Sequence, residues 1–180
     1  MVHADASNFK AGITKADAYA QVLEQARALF DGQRNWVCNL SNAASLLWHL
    51  FKSLPAPSSA VNWSGFYVLD PSASKPSLIL GPFQGKVACQ TIVFGRGVCG
   101  TAAAEGKTVL VPDVDEFPGH IACDGDSQSE IVVPIVQAGK CDAKVVAIID
   151  IDCATKNGFD AEDQRCLEEL ATLLAESCDF

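Results

Sequence analysis

"EIVVPIVQAGKCDAKVVAIIDIDC", Glu130 to Cys153, holds two apolar runs rich in Val and Ile. "EIVVPIV" (130–136) and "AKVVAIIDIDC" (143–153) are short, β-branched and bounded by turn residues, so both read as strands. "QAGKCDAK" between them is a turn carrying Cys141. Four more stretches of the same character lie upstream: "VNWSGFYVLD" (61–70), "PSLILGPF" (76–83), "ACQTIVF" (88–94) and "KTVLVPD" (107–113). Gly, Pro, Asp and Ser separate them.

The two ends of the chain follow another period. "DAYAQVLEQARALF" (17–30) puts Tyr19, Val22, Leu23, Ala26 and Leu29/Phe30 on one face of a helix. "NWVCNLSNAASLLWHLFKSL" (35–54) reads as a second, more apolar helix that stops before Pro55. "DAEDQRCLEELATLLAESC" (160–178) has Asp160 as N-cap, acids in its first turn, and Leu167, Leu170, Leu173 and Leu174 on one face. Helices at both ends of a run of six strands imply an α+β domain with an antiparallel sheet. The expected organisation is a polar N-terminal tail over residues 1–16 and a single domain over 17–180, with no repeat and no second domain.

Composition narrows the function classes. The 180 residues are 49% hydrophobic and 19% charged, as in a globular domain. The longest apolar runs fall well short of a membrane span, and the N-terminus lacks the basic start and apolar core of a secretory signal. Lys and Arg total 13 against 22 Asp and Glu, a net charge of -9, which repels phosphate backbones and argues against nucleic-acid binding. Eight cysteines (Cys38, Cys89, Cys99, Cys123, Cys141, Cys153, Cys166 and Cys178) show no C-x-x-C spacing, so a zinc ribbon or thioredoxin-type motif is not expected. Most are expected to pack as small apolar thiols.

"GRGVCG" (95–100) spells G-x-G-x-x-G after an apolar strand, the lettering of a dinucleotide loop. A parallel crossover needs a helix of a dozen or more residues, and "TAAAEGK" holds about two turns. The glycines are better read as a sharp turn into a short helix, with Cys99 near its N-terminus, where the helix dipole favours a thiolate.

The chemistry-bearing residues gather in the second half. Cys89, Cys99 and Cys123 are expected at strand ends or loops, and Glu130 opens a strand. Asp150 and Asp152 project from one face if the strand continues through them; otherwise they cap turns at its end. Cys123, in "GHIACDGDSQSE", is open to four roles: packing, metal ligand, disulfide partner or nucleophile. His120 and Cys123 with Asp150 and Asp152 can be drawn as a mixed metal site, but three histidines and no paired cysteines argue against it. If the acids share a pocket they cannot all ionise cheaply, and one stays protonated as a general acid or as part of an ammonium site. A cysteine nucleophile beside such an acid suits an electrophile whose oxygen is protonated as it leaves, and a sulfoxide is one. The sulfenic acid so formed condenses with a second cysteine, with no metal or organic cofactor. The same acids would raise the thiol's pKa, so something else must support the thiolate.

"NWSGFY", "LGPFQGKVACQTIVFGRGVCGTAA", "VPDVDEFPGHIACDGDSQSEIVVPI" and "AIIDID" together closely resemble the free methionine-(R)-sulfoxide reductase family, a GAF-domain enzyme. The resemblance runs from about Gln33 to the last helix. It implies a six-stranded antiparallel sheet flanked by N- and C-terminal helices, as the residues themselves do. It further implies reduction of free L-methionine (R)-S-oxide, with thioredoxin as reductant and no cofactor. Cys123 matches the family's nucleophile, Cys99 its resolving cysteine, and Cys89 a further cysteine able to form a disulfide with the nucleophile. Glu130, Asp150 and Asp152 match the acids that hold the substrate amine and sulfoxide oxygen. Trp63 and Tyr67 match the aromatics around the S-methyl group, although aromatics in a strand otherwise read as core. Cys141 and Cys153 are local departures from the family pattern without a matched role. The resemblance fits a cytoplasmic and also nuclear protein, and the acidic surface is compatible with a homodimer. The rival expectations are a GAF sensor binding a small ligand with a cysteine redox switch and no turnover, and, with less support, a bilin-binding domain.

Overall fold

The computed structural model describes residues 4–121, 124–138 and 143–180. Cys123 and Cys141, and with them the centre of the "QAGKCDAK" turn, lie outside the described residues. Helix α1 (Lys15–Phe30) starts two residues ahead of the expected Asp17, because the Thr14 side chain accepts from the Asp17 backbone N–H and sets the N-cap there. Helix α2 spans Trp36–Ser53. The strands follow as β1 (Val61–Leu69), β2 (Ser77–Gly85) and β3 (Thr91–Val93), then helix α3 (Gly97–Glu105), β4 (Val109–Val111), β5 (Ser129–Ala138) and β6 (Ala143–Cys153). Helix α4 (Ala161–Ser177) closes the chain with a capping box between Asp160 and Asp163.

The six strands form one sheet in the order β3-β2-β1-β6-β5-β4, with every neighbouring pair antiparallel. The α+β antiparallel expectation therefore holds. Two expected strands are shorter than read. "ACQTIVF" pairs only over Thr91–Val93, which leaves Cys89 in the preceding loop, and "KTVLVPD" pairs only over Val109–Val111. Both lie at sheet edges, where one neighbour rather than two stabilises the extended backbone.

Each face of the sheet has its own core. On one, α1, α2 and α4 cover Val61, Phe66, Val68, Ile131, Val133, Ile135, Ile149, Ile151 and Cys153. On the other, α3 packs with Trp63, Tyr67, Val132 and Ile148. The period-2 alternation of a strand does this sorting, and a register shift between Val61 and Trp63 moves β1 from one alternation to the other. The helical layer is tied by a buried carboxylate: the Tyr19 hydroxyl donates to Asp163 Oδ1 (2.9 Å) and Lys15 Nζ donates to Asp163 Oδ2 (2.7 Å). α3 lies close to the edge strand because Gly100 has no side chain; a Cβ there would stand 2.4 Å from the Val93 carbonyl oxygen. No helix among the described residues is long and apolar enough to cross a membrane.

Candidate active site

Strand β6 continues through Asp150 and Asp152, so both acids project from the α3 face and neither caps a turn. Register fixes their neighbours. Trp63 and Glu130 flank Asp152 from β1 and β5, while Gly65 and Val132 flank Asp150. Tyr67 and Pro134 flank Ile148 in the next row. Glu130 and Asp152 are thus direct cross-strand partners of like charge, an arrangement that costs stability.

Glu130 and Asp150 are each 6% exposed. Burial pushes Glu130 well above the usual carboxylate range, and the neighbouring Asp150 and Asp152 push it further. Asp152 is likewise driven well up, by burial and then by Asp150, against a lowering hydrogen bond with Ser127. Asp150 rises to about 6, chiefly through burial, while hydrogen bonds with Cys99 and Glu130 hold it down. Among the described residues no Lys or Arg forms an ion pair with any of the three. The nearest basic group is His120, whose Nε2 lies 3.7 Å from Glu130 Oε2 and whose pKa burial lowers. Asp150 Oδ1 is buried with no hydrogen-bond partner among the described residues.

Cys99 is the third residue of α3 and is buried against the acids, where its Sγ donates to Glu130 Oε1 at 3.5 Å. It lies on the first turn of the short helix expected after the glycine turn. One expectation for it is corrected: its thiol is not poised as a thiolate, because burial, Asp150 and Glu130 together push its pKa well above the ordinary value, outweighing a dipole worth about 1 kcal/mol. Cys89 is disulfide-bonded, whereas Cys38, Cys99, Cys153, Cys166 and Cys178 are free thiols. Cys153 faces the opposite core, as the alternation predicts, with its Sγ near the Pro57 carbonyl and the Thr155 hydroxyl.

These groups surround a cavity of about 160 Å³ lined by Tyr67, Cys89, Cys99, Glu130, Asp150 and Asp152, with His120 and Asp124 beside them. That is below the roughly 300–1,000 Å³ of drug-sized ligand sites, so the space suits a small metabolite rather than a nucleotide or a bilin. Tyr67 lines it, whereas Trp63 stands behind the wall in a stack with Tyr67 (centroids 5.8 Å apart) and Phe83 (5.3 Å). Gly65 permits the stack, since a Cβ there would fall 2.3 Å from Phe83 Cβ and 2.7 Å from the Trp63 ring. Trp63 Nε1 donates to the Lys86 carbonyl at 3.1 Å, so the indole is anchored to the loop that carries Cys89.

Sequence reasoning singled out neither Phe83 nor Ser127, and it set His120 aside. A glycine inside an aromatic strand was the available signal for the stack. Nothing local signals Ser127 or His120, which tertiary packing brings to the acids. The mixed metal set drawn on His120 and Cys123 lies partly outside the described residues; among these, the convergent donors are Cys99, Glu130 and Asp150, with ligand atoms within 4.8 Å of one another.

A GAF-domain family model matches residues 44–177. The chain is 54% identical to the free methionine-R-sulfoxide reductase of Saccharomyces cerevisiae over 178 residues, covering 99% of this chain and 95% of that protein. It is 38% identical to the free methionine-R-sulfoxide reductase of Escherichia coli, covering 90% and 89% of the two. The X-ray structure of the Neisseria meningitidis free methionine-R-sulfoxide reductase in complex with its substrate superposes with a TM-score of 0.81 at 39% identity, covering 94% and 93% of the chains. With its sheet order, its two-faced core and these relatives, the chain belongs to the free methionine-(R)-sulfoxide reductase family of GAF-domain proteins.

Proposed function

We propose that this chain reduces free L-methionine (R)-S-oxide to L-methionine through cysteine chemistry. The observation that carries the reading is the small cavity in which three carboxylates, two of them buried and none with a Lys or Arg partner among the described residues, meet Cys99, beside a disulfide-bonded Cys89 and an aromatic wall. Relatives named for this activity support it.

Each part then has a task. The substrate ammonium supplies the positive charge and the hydrogen bond that Asp150 Oδ1 lacks. The S-methyl group rests against Tyr67, with Trp63 and Phe83 stiffening that wall. The Cys123 thiolate attacks the sulfoxide sulfur while a protonated carboxyl of the Glu130/Asp152 pair donates to the sulfoxide oxygen. The S–O bond breaks, methionine leaves, and the oxygen remains on Cys123 as sulfenic acid. A second thiol attacks that sulfur, forming a disulfide and releasing water. We assign this step first to Cys89, which already stands in a disulfide, and second to Cys99, whose thiol lies beside Glu130. A dithiol protein of the thioredoxin type then returns both cysteines to thiols.

The test is NADPH oxidation coupled through thioredoxin and its reductase, with the R and S epimers assayed separately. Turnover of the free R epimer alone is expected, and Cys123→Ser should abolish it. No turnover of that epimer leaves the ligand-sensing reading standing instead.

A further inference from the structure

The described chain exposes six large hydrophobic side chains, Val37, Ile79, Val87, Val93, Ile121 and Val136. Three of them lie near Cys89, in the lining of its cavity or in its loop. Val93 and Ile121 line the cavity that Cys89 also lines, and Val87 lies two residues before Cys89 in the same loop. Val87 is 88% exposed, the most of the six, so none of the described residues covers it. Of the adjacent charges, Lys86 is paired, its Nζ lying 2.6 Å from Asp126 and 3.3 Å from Asp124, while Arg96, exposed in the cavity lining, forms no ion pair among the described residues. The loop is also held from inside, since the Lys86 carbonyl accepts the Trp63 indole N–H. The result is a collar of exposed Val87, Val93 and Ile121, with Arg96 among them, beside a half-buried, disulfide-bonded cysteine.

We propose that this collar is the docking surface for the protein dithiol that reduces the Cys89 disulfide, with Val87 as its principal contact. The inference rests on the proposed catalytic cycle, because only turnover requires the disulfide to be reopened repeatedly. The occupant follows from the chemistry at the centre of the patch. A thiolate of the partner attacks Cys89 Sγ, forming a mixed disulfide and releasing the other cysteine of the pair as a thiolate. The partner's second thiolate attacks its own sulfur in that bond and releases Cys89, so the partner leaves oxidised by two electrons. A small dithiol can thread this opening and gains nothing from the collar. A protein must lay its surface against the rim, and buried apolar contact there lowers its KM.

The experiment compares two reductants on wild type, Val87→Asp and Val37→Asp, the last an equally simple change on α2. With thioredoxin, Val87→Asp should raise KM for the reductant about tenfold, the effect of losing one buried valine contact and desolvating a charge. With dithiothreitol the rate should stay within about twofold of wild type for both variants. A thioredoxin whose second cysteine is serine should trap a mixed disulfide on Cys89, found by peptide mass spectrometry, and Val87→Asp should slow its formation by the same factor. The docking proposal is overturned if Val87→Asp leaves thioredoxin KM unchanged, if it slows both reductants equally, or if the monothiol glutathione serves as well as thioredoxin. Absence of wild-type turnover with dithiothreitol would instead sink the catalytic reading, so the two failures are distinct.

Discussion

On β6, Ile149, Ile151 and Cys153 enter the helix-covered core while Ile148, Asp150 and Asp152 enter the cavity side. The two sides treat a buried carboxylate differently. Asp163, on the helical side, is fully buried, yet it accepts from the Tyr19 hydroxyl, Lys15 Nζ and the Asp160 backbone N–H. Asp150, on the cavity side, is nearly as buried but its Oδ1 has no donor among the described residues, and it has two more acids for neighbours. A satisfied buried charge fixes helix packing. An unsatisfied one stores an unfavourable term that a cationic ligand relieves, so the contrast separates structural acids from functional ones.

Glu130→Gln should produce the largest effect. Losing a positioned acid costs about 10²–10⁴-fold in kcat, measured with the R epimer, while the melting temperature should not fall. A drop in melting temperature comparable to the rate loss would place Glu130 among the structural acids. Asp163→Asn is the converse case. Removing one partner of a buried pair should cost roughly 3 kcal/mol in denaturant unfolding, with kcat per folded molecule unchanged.

The pH dependence of stability sharpens the same distinction. Asp150 has a folded pKa raised from an ordinary value of 3.8 to about 6, so the native state binds its proton more tightly than the unfolded chain does. Its contribution is fully present below about pH 4 and is lost as pH rises through about 6, a difference of roughly 3 kcal/mol for a two-unit shift. Asp150→Asn should therefore match wild type near pH 4 and exceed it at pH 7, as followed by urea unfolding across that range. A variant less stable than wild type at pH 7 breaks the assignment of Asp150 to the unsatisfied class.

Much of this architecture is legible in the sequence because alternation is a local property. The runs 130–136 and 143–153 announce their strands, and the spacing of Asp150 and Asp152 places them on one face. Edge strands read too long, since their extent depends on neighbours that sequence does not reveal. The protonation state of Cys99 is misread for a similar reason. Its place near a helix start is a local fact, but the acids that oppose a thiolate arrive from β5 and β6. Phe83, Ser127 and His120 join the site only through cross-strand and loop packing, which leaves no spacing signature.

The smallest predicted effects concern two cysteines that the sheet separates. Cys153 packs beneath Gly158, where an added Cβ would fall 2.6 Å from Cys153 Sγ, so the site is filled closely. Cys153→Ser should cost about 1 kcal/mol by trading a closely packed sulfur for a smaller polar atom, with turnover intact. Cys99→Ser retains a donor toward Glu130 and should leave stability within about 0.5 kcal/mol. Its steady-state rate should fall by no more than about threefold if Cys89 carries the first resolution step, because a parallel route of comparable barrier is lost. Stopped-flow detection of methionine in a single turnover should then be unchanged for both variants. A Cys153→Ser protein that folds but fails to produce that first methionine would show that chemistry crosses the sheet, and the two-faced account of β6 would have to be abandoned.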